Sequence, residues 1–427
     1  MQPARNTRRR AHDGRGRERA LRSPVRISGM RIRLSGVWCV FFVLGLVPRS
    51  LGAQESREAI VAAAQAEKAA HIAPYVPGGA ERLVLRLKKE FLEVPSGVYP
   101  LFASVYSGGG FTLGAGYRQF YGDRTFWDLK GLYSLSAYKK VELSTDSLGL
   151  ARGRLDLHAR VGWMDATQVD YFGLGIDSPQ SGQSDYRMKQ AYFGGGVNGR
   201  APGAIVYGAG VTFEDYTLQS GTGSGPSIEE IYTPATAPGL GASPTYLHTA
   251  ASAGLDSRPS PGYARHGGLY QVTYHNYADR DETYSFDRAD VEVVQHLPIL
   301  RETWVFSLHG LLQTTLHDSD TVPYFLLPSL GSGSTLRGYG SWRFRDRHSL
   351  LMSGEFRWIP NRMGLDMAIF YDTGKVASEW DGLSLKGLAH DVGVGIRFHS
   401  PLATPLRVEL ARGSEGFHLV FSGSAAF

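Results

Sequence analysis

From about Val98 to Phe427 the chain alternates apolar and polar residues with a period of two. In Glu302–Leu316, Trp304, Phe306, Leu308, Leu312 and Leu316 share one parity, and Thr303, Ser307, His309, Gln313 and Thr315 the other. Successive side chains of a strand point to opposite faces, so this is a strand with one apolar face. His348–Trp358 repeats it, with Leu350, Met352, Phe356 and Trp358 against Ser349, Ser353, Glu355 and Arg357. In Met363–Asp372 the apolar parity opposes Asp366 and Asp372, and in Leu388–Phe398 it opposes Asp391 and Arg397. Phe417, Leu419, Phe421 and the terminal Phe427 again share one parity.

A water-soluble sandwich would alternate too. Here the strands run to about ten residues, the length a tilted membrane span needs. Aromatic residues gather near strand ends, as at membrane interfaces. The polar parity carries glycines and isolated charges, as a barrel lumen does. No run of 18 or more apolar residues follows Leu46, which excludes helical spans and leaves a closed antiparallel barrel as the structure that satisfies its backbone in lipid. The predicted fold class is all-β, a transmembrane antiparallel β-barrel with a short helical N-terminal segment. Tight connections at Ser107–Gly110, Leu297–Glu302 and Ile359–Met363 contrast with long polar ones at Gln219–Thr245 and Asp318–Arg347.

The N-terminal part has a different pattern. Gly36–Leu46 is an apolar core of signal-peptide length behind Arg31 and Arg33, with a cut expected after Ala53 and a start at Met30 also compatible. Residues 55–71 are alanine-rich and predict a helix. Glu81–Val94 reads as a short amphipathic helix, although Leu83, Leu85 and Leu87 also fit a strand. The expected organisation is therefore a signal region over 1–53, a short periplasmic helical segment over 54–96, and the barrel over 97–427.

Charge removes one class of function. Twelve of the 45 basic residues and two of the 40 acidic ones lie in residues 1–53; the remainder has 33 basic against 38 acidic residues, a net of −5. The arginine- and aromatic-rich stretch Ser334–Arg347 resembles an RNA-binding segment, but a mature chain with net negative charge does not support a nucleic-acid partner. The single cysteine, Cys39, lies in the apolar core of the signal, so the mature chain is expected to have no disulfide and no thiol chemistry. The 13 histidines show no metal-ligand spacing, and Asp318 and Asp320 fit a solvated turn better than a calcium site, so neither metal nor cofactor is expected.

Five motifs in order resemble one family. Leu336–Tyr339 (LRGY) resembles the Arg-Gly-aromatic motif on the inward-folded loop of the BamA/TamA superfamily, also called the bacterial surface antigen family. SGEFRW (Ser353–Trp358) and FYDTGKV (Phe370–Val376) resemble the two strands after that loop. Gly393–Ala411 resembles its penultimate strand pair, and Gly254–Val272 its Asp-x-Arg, Pro, Arg-Gly-Gly strand-turn. The terminal Phe427 fits its C-terminal strand signal. The resemblance implies about 16 strands, an outer-membrane location and a loop arginine that pairs with acids inside the lumen. By position Arg337 would meet Glu355 and Asp372; both acids also fall on the polar parity of their strands. One guanidinium can satisfy two carboxylates. Gly338 is expected to allow a tight turn and Tyr339 to pack on the inner wall, so that the loop is locked. Arg343, Arg345 and Arg347 read as lumen or rim charges facing lipopolysaccharide phosphates, or equally as solvated surface.

Family members that assemble or translocate proteins carry periplasmic modules ahead of the barrel. Gln54–Ser96 is too short for one and lacks its β-α-α-β-β pattern. The leading expectation is a minimal insertion or translocation barrel for membrane proteins or lipids, working with outer-membrane lipid and lipopolysaccharide, unfolded outer-membrane proteins or a separate periplasmic partner. The alternative is a passive pore or structural barrel plugged by the Arg337 loop. A lipid hydrolase is the weakest reading: the chain has no G-x-S-x-G, and Ser307 and His309 lie on the polar parity.

Overall fold

A computed structural model describes residues 59–68, 96–300, 302–316, 321–360, 364–399, 404, 406–423 and 425–427. The signal region, the Glu81–Val94 segment and the Asp318–Asp320 turn lie outside the described residues. Residues 59–68 are helical, as their alanine content predicts, and belong to a unit of their own.

The second unit is a sixteen-stranded antiparallel sheet in chain order. Its first half comprises β1 (Gly97–Phe102), β2 (Thr112–Phe120), β3 (Thr125–Ser134), β4 (Lys139–Gly149), β5 (Leu155–Tyr171), β6 (Ser184–Arg200), β7 (Ile205–Ser220) and β8 (Thr245–Asp256). The second half comprises β9 (Gly267–Asp279), β10 (Phe286–Ile299), β11 (Trp304–Thr315), β14 (His348–Trp358), β15 (Leu365–Ala377), β16 (Ala389–Phe398), β17 (Leu406–Gly413) and β18 (Gly416–Ser422). A two-residue ladder of β12 (Ser329–Leu330) and β13 (Phe344–Arg345) lies within the β11–β14 connection.

Burial follows the parity read from the sequence. On β16 Val392 is 53% exposed on the lipid side, and Asp391 is 1% exposed on the lumen side. Connections alternate between the two ends of the barrel. One end has short turns, such as residues 121–124 and 201–204, and the other has longer connections, such as 221–244; in outer-membrane barrels the short turns face the periplasm. Strands β5, β6 and β7 have 17, 17 and 16 residues, more than a span requires, and extend past the bilayer on the long-loop side. There a buried aromatic cluster including Tyr171, Tyr186, Tyr246, Tyr277, Phe286 and Tyr324 closes the barrel. Edge-to-face pairs such as Tyr186–Tyr324, with centroids 4.9 Å apart, hold that cap together.

The short-turn end is also partly closed. The β8–β9 turn folds inward: Tyr263 is buried, stacks on His399 at 3.7 Å and donates a hydrogen bond to Asp366 at 3.1 Å. Arg357 donates to the Ala264 carbonyl beside it.

Candidate functional site

The connection between β11 and β14 enters the lumen and carries Arg337 to the inner face of β14–β17. The guanidinium is 2% exposed. Its Nε and Nη2 donate to the two oxygens of Asp372 at 2.7 and 2.8 Å, a forked pair that lysine cannot form. Its Nη1 donates to Glu355 at 3.0 Å and to Glu409 at 3.2 Å. The Phe370 ring lies flat beneath it, 3.4 Å from centroid to guanidinium carbon. Burial works against the charge, yet Asp372, Glu355 and Glu409 together hold the guanidinium above the ordinary arginine range.

Two glycines on β16 make the seat. A Cβ at Gly393 would lie 2.2 Å from the Phe370 ring, and one at Gly395 would lie 2.7 Å from the Glu409 side chain. Their absence lets both side chains cross the strand toward Arg337. The acids are shared with two further arginines. Arg397 donates to Glu355 at 2.6 Å and to Glu409 at 2.7 Å. Arg407 donates to Glu409 at 2.9 Å and to the loop carbonyl of Gly333 at 2.6 Å. Asp372, Glu355 and Glu409 are thereby each met by arginine N–H groups, the condition under which buried charge is tolerated.

Every named residue of the sequence motif is found at this seat. Arg337, Glu355 and Asp372 are in direct contact, and Tyr339 packs edge-on to Phe344 at 5.2 Å and donates to the His390 carbonyl at 3.2 Å. Glu409, Arg397 and Arg407 were not singled out as partners. Their signal was the small-residue alternation Gly393, Gly395 flanked by lumen-parity charges, which marks a wall leaving space for something large.

One expectation gains its reason and two are corrected. Gly338 does not have a left-handed φ. The expected turn is made, with the Tyr339 amide donating to the Leu336 carbonyl at 3.2 Å, and a Cβ at Gly338 would come within 2.4 Å of the Asp391 Cβ and 2.6 Å of the Gly413 nitrogen, so glycine is needed there for close approach to β16 and β17. Arg343 and Arg345 are buried within the chain and are not solvated or facing lipid phosphates. Arg343 donates to Glu415 at 2.7 Å and to the Ser178 carbonyl at 2.7 Å; Arg345 donates to the Tyr324 carbonyl at 2.9 Å and sits 4.7 Å from the Trp342 ring. Only Arg347 of the three is at a rim, 3.8 Å from the exposed Glu379. Finally, Phe427 is not on the lipid face of the last strand. β18 ends at Ser422, and the Phe427 ring stacks on His309 at 4.9 Å, against a lumen-facing side chain.

The remaining loop contacts tie its far side to the opposite edge of the sheet. Trp342 donates from its indole to the Ser107 carbonyl at 3.0 Å and stacks on Tyr106 at 4.9 Å. It does so with φ of 63°, a left-handed conformation that costs about 1–3 kcal/mol outside glycine and is offset by these contacts. Ser307 is bonded to His296 at 2.8 Å and His309 to Glu292 at 3.2 Å, so that pair belongs to the wall.

Residues 256–419 match the model of the Omp85 superfamily domain. The fold is similar to that of BamA from Haemophilus ducreyi, whose crystal structure lacks POTRA domains 1–3, with 14% identity over 81% of this chain and 78% of that one and a TM-score of 0.54. It is also similar to CdiB from Escherichia coli, with 11% identity over 76% of this chain and 61% of that one and a TM-score of 0.51. No curated protein sequence matches the chain. In its sixteen-stranded fold, and over residues 256–419 in sequence, the chain is similar to the outer-membrane β-barrels of the Omp85 superfamily.

Proposed function

We propose that the chain is a minimal insertion or translocation barrel whose inward loop is locked by Arg337. The observation that carries this reading is a cavity of about 560 Å³ lined by both end strands of the ladder and by the loop tip: Phe102 of β1, Leu419 and Phe421 of β18, and Arg337 and Tyr339. These end strands are also the shortest of the sixteen, at six and seven residues. A short hydrophobic wall draws the adjacent bilayer thinner, at a fraction of a kcal/mol per Å of mismatch. A thinned bilayer beside strand edges lowers the barrier for another chain or lipid to enter, because strand edges offer backbone groups for pairing. On this reading the loop, pinned to β14–β17, holds the seam from inside while leaving it open to lipid outside. The partners are outer-membrane lipid, lipopolysaccharide and unfolded outer-membrane proteins, delivered by a separate periplasmic protein. The barrel carries out no catalytic step.

The alternative reading, a passive or structural barrel, is favoured by the density of the loop's contacts, which fit a permanent plug. Liposomes holding the purified chain separate the two. Folding of an unrelated barrel added from urea is expected to be faster than in liposomes holding an inert barrel. Equal rates would remove the insertion reading and leave the plug, with conductance of an Arg337→Ala barrel as the following measurement.

A further inference from the structure

Apart from the cavity at the end strands, the loop fills the lumen along β14–β17, whereas the wall β5–β9 is hollow. Two adjoining cavities of about 260 and 210 Å³ run along that second wall and share Asn198 and Ser252, so they form one recess. Its lower part opens beside the short turns, near Arg154, Arg200 and Arg258. Its upper part reaches His158, Arg160 and His275. Above it His248 stacks on Tyr277 at 4.0 Å and Tyr277 on Phe286 at 4.5 Å, within the aromatic cap. The recess is therefore blind toward the outside and entered from the periplasmic side.

Its charge is one-sided. The lining holds four arginines and two aspartates. Both aspartates are already engaged: Asp256 accepts from Arg258 at 3.0 Å and lies 3.7 Å from Arg200, and Asp156 accepts the Gly149 amide at 2.7 Å. Glu214, behind His248, is held by that ring at 3.0 Å and by Tyr216 at 2.8 Å. Among the described residues no carboxylate lies within ion-pairing distance of Arg154 or Arg160. Glycines keep the polar groups in place and the space open: a Cβ at Gly208 would sit 2.8 Å from Asn198 Oδ1 and 2.9 Å from Ser252 Oγ.

We infer that this recess is a binding site for a phosphate-type oxyanion. A guanidinium presents a planar fork that matches phosphate oxygens, and the amide of Asn198 and hydroxyl of Ser252 can donate to the remaining ones. A low-dielectric cleft lined by one sign of charge concentrates counter-ions of the other. The ligand is a small soluble phosphate compound admitted from the periplasm; a phospholipid headgroup carries the same group and is the competing source.

Isothermal titration of the full chain in phosphatidylcholine nanodiscs with inorganic phosphate tests the site. Saturable binding is expected, weakened at least tenfold by Arg160→Gln and partly restored by Arg160→Lys. Ser252→Leu fills the recess without removing a charge and is expected to abolish binding. Arg412→Gln, on the exposed face of β17, a strand that does not line the recess, is expected to bind as the parent does. All variants are first checked for the compact, heat-resistant migration of a folded barrel. Absence of saturable binding, or equal binding by Arg160→Gln and Ser252→Leu, would overturn the inference. Titration in phosphatidylglycerol nanodiscs separates the sources: unchanged phosphate binding supports a soluble ligand, and its loss overturns that in favour of a headgroup.

Discussion

The walls β14–β17 and β5–β9 belong to one sheet and share one alternation, yet one is filled and the other is empty. On the first, Glu355, Asp372, Arg397, Arg407 and Glu409 are all buried beneath the loop. On the second, Gly208, Gly210, Ser252 and Thr273 face open space. Alternation decides which side chains point inward; it does not decide whether the interior becomes solid. That depends on whether a connection is long enough to return and carries the charges its wall lacks. The β11–β14 connection does both, whereas the long β7–β8 connection folds over the aromatic end and places Ile228 and Ala237 in that cap.

The largest expected effect lies at the filled wall. Arg337→Ala leaves three carboxylates facing a void, and removing one partner of a buried pair costs about 3–5 kcal/mol. The prediction is a much lower unfolding temperature and new protease cleavage within residues 321–347, read by gel-shift melting and limited proteolysis. Arg337→Lys keeps the charge but loses the fork, so its loss should be smaller while remaining measurable; the same stability for Lys and Arg would break the claim that geometry matters. Next comes Gly338→Ala, whose methyl group meets the Asp391 Cβ and the β17 backbone. Overpacking of this kind costs about 1–3 kcal/mol. Tyr263→Phe at the periplasmic turn removes one hydrogen bond to Asp366 and is expected to cost about 1 kcal/mol by the same melting assay. The smallest effect belongs to the empty wall. A Cβ at Gly210 would lie 3.4 Å from the Gly195 carbonyl, a contact the wall can accommodate. Gly210→Ala should change stability by no more than about 0.5 kcal/mol. A large loss there would mean that the second wall is packed as tightly as the first.

The barrel, its inward-facing acids and the central pairing of Arg337 with Glu355 and Asp372 could be read from the sequence, because each depends on parity within one strand and on motif order. Glu409 could not, because parity places it inside but only the stagger between β15, β16 and β17 decides which side chains meet at one height. Its register opposite Gly395 is what brings it within reach of Arg337. For Arg343 and Arg345 the sequence leaves lumen, rim and solvated surface open, for a related reason. A loop sequence shows charge and aromatic content, and these fit a wet rim or a dry cap equally well until Tyr186, Tyr324 and Ser178 arrive from more than 20 residues away. Gly338 shows the limit for a single residue: the letter signals a missing side chain, and the reason lies in strands that follow it by more than 50 positions.

That last point bears on the order of assembly. Asp372, His390, Glu409 and Ser414, which hold the tip of the loop, all come later in the chain than Arg337 and Tyr339. The anchors come from separate later strands, and the last of them along the chain is supplied by the turn between β17 and β18. Closing such long-range contacts is the slow part of forming a β-structure. The arginine seat can therefore report completion: it is fully made only when the final hairpin is present, so a barrel arrested one hairpin short would retain an unsatisfied loop that proteases can find.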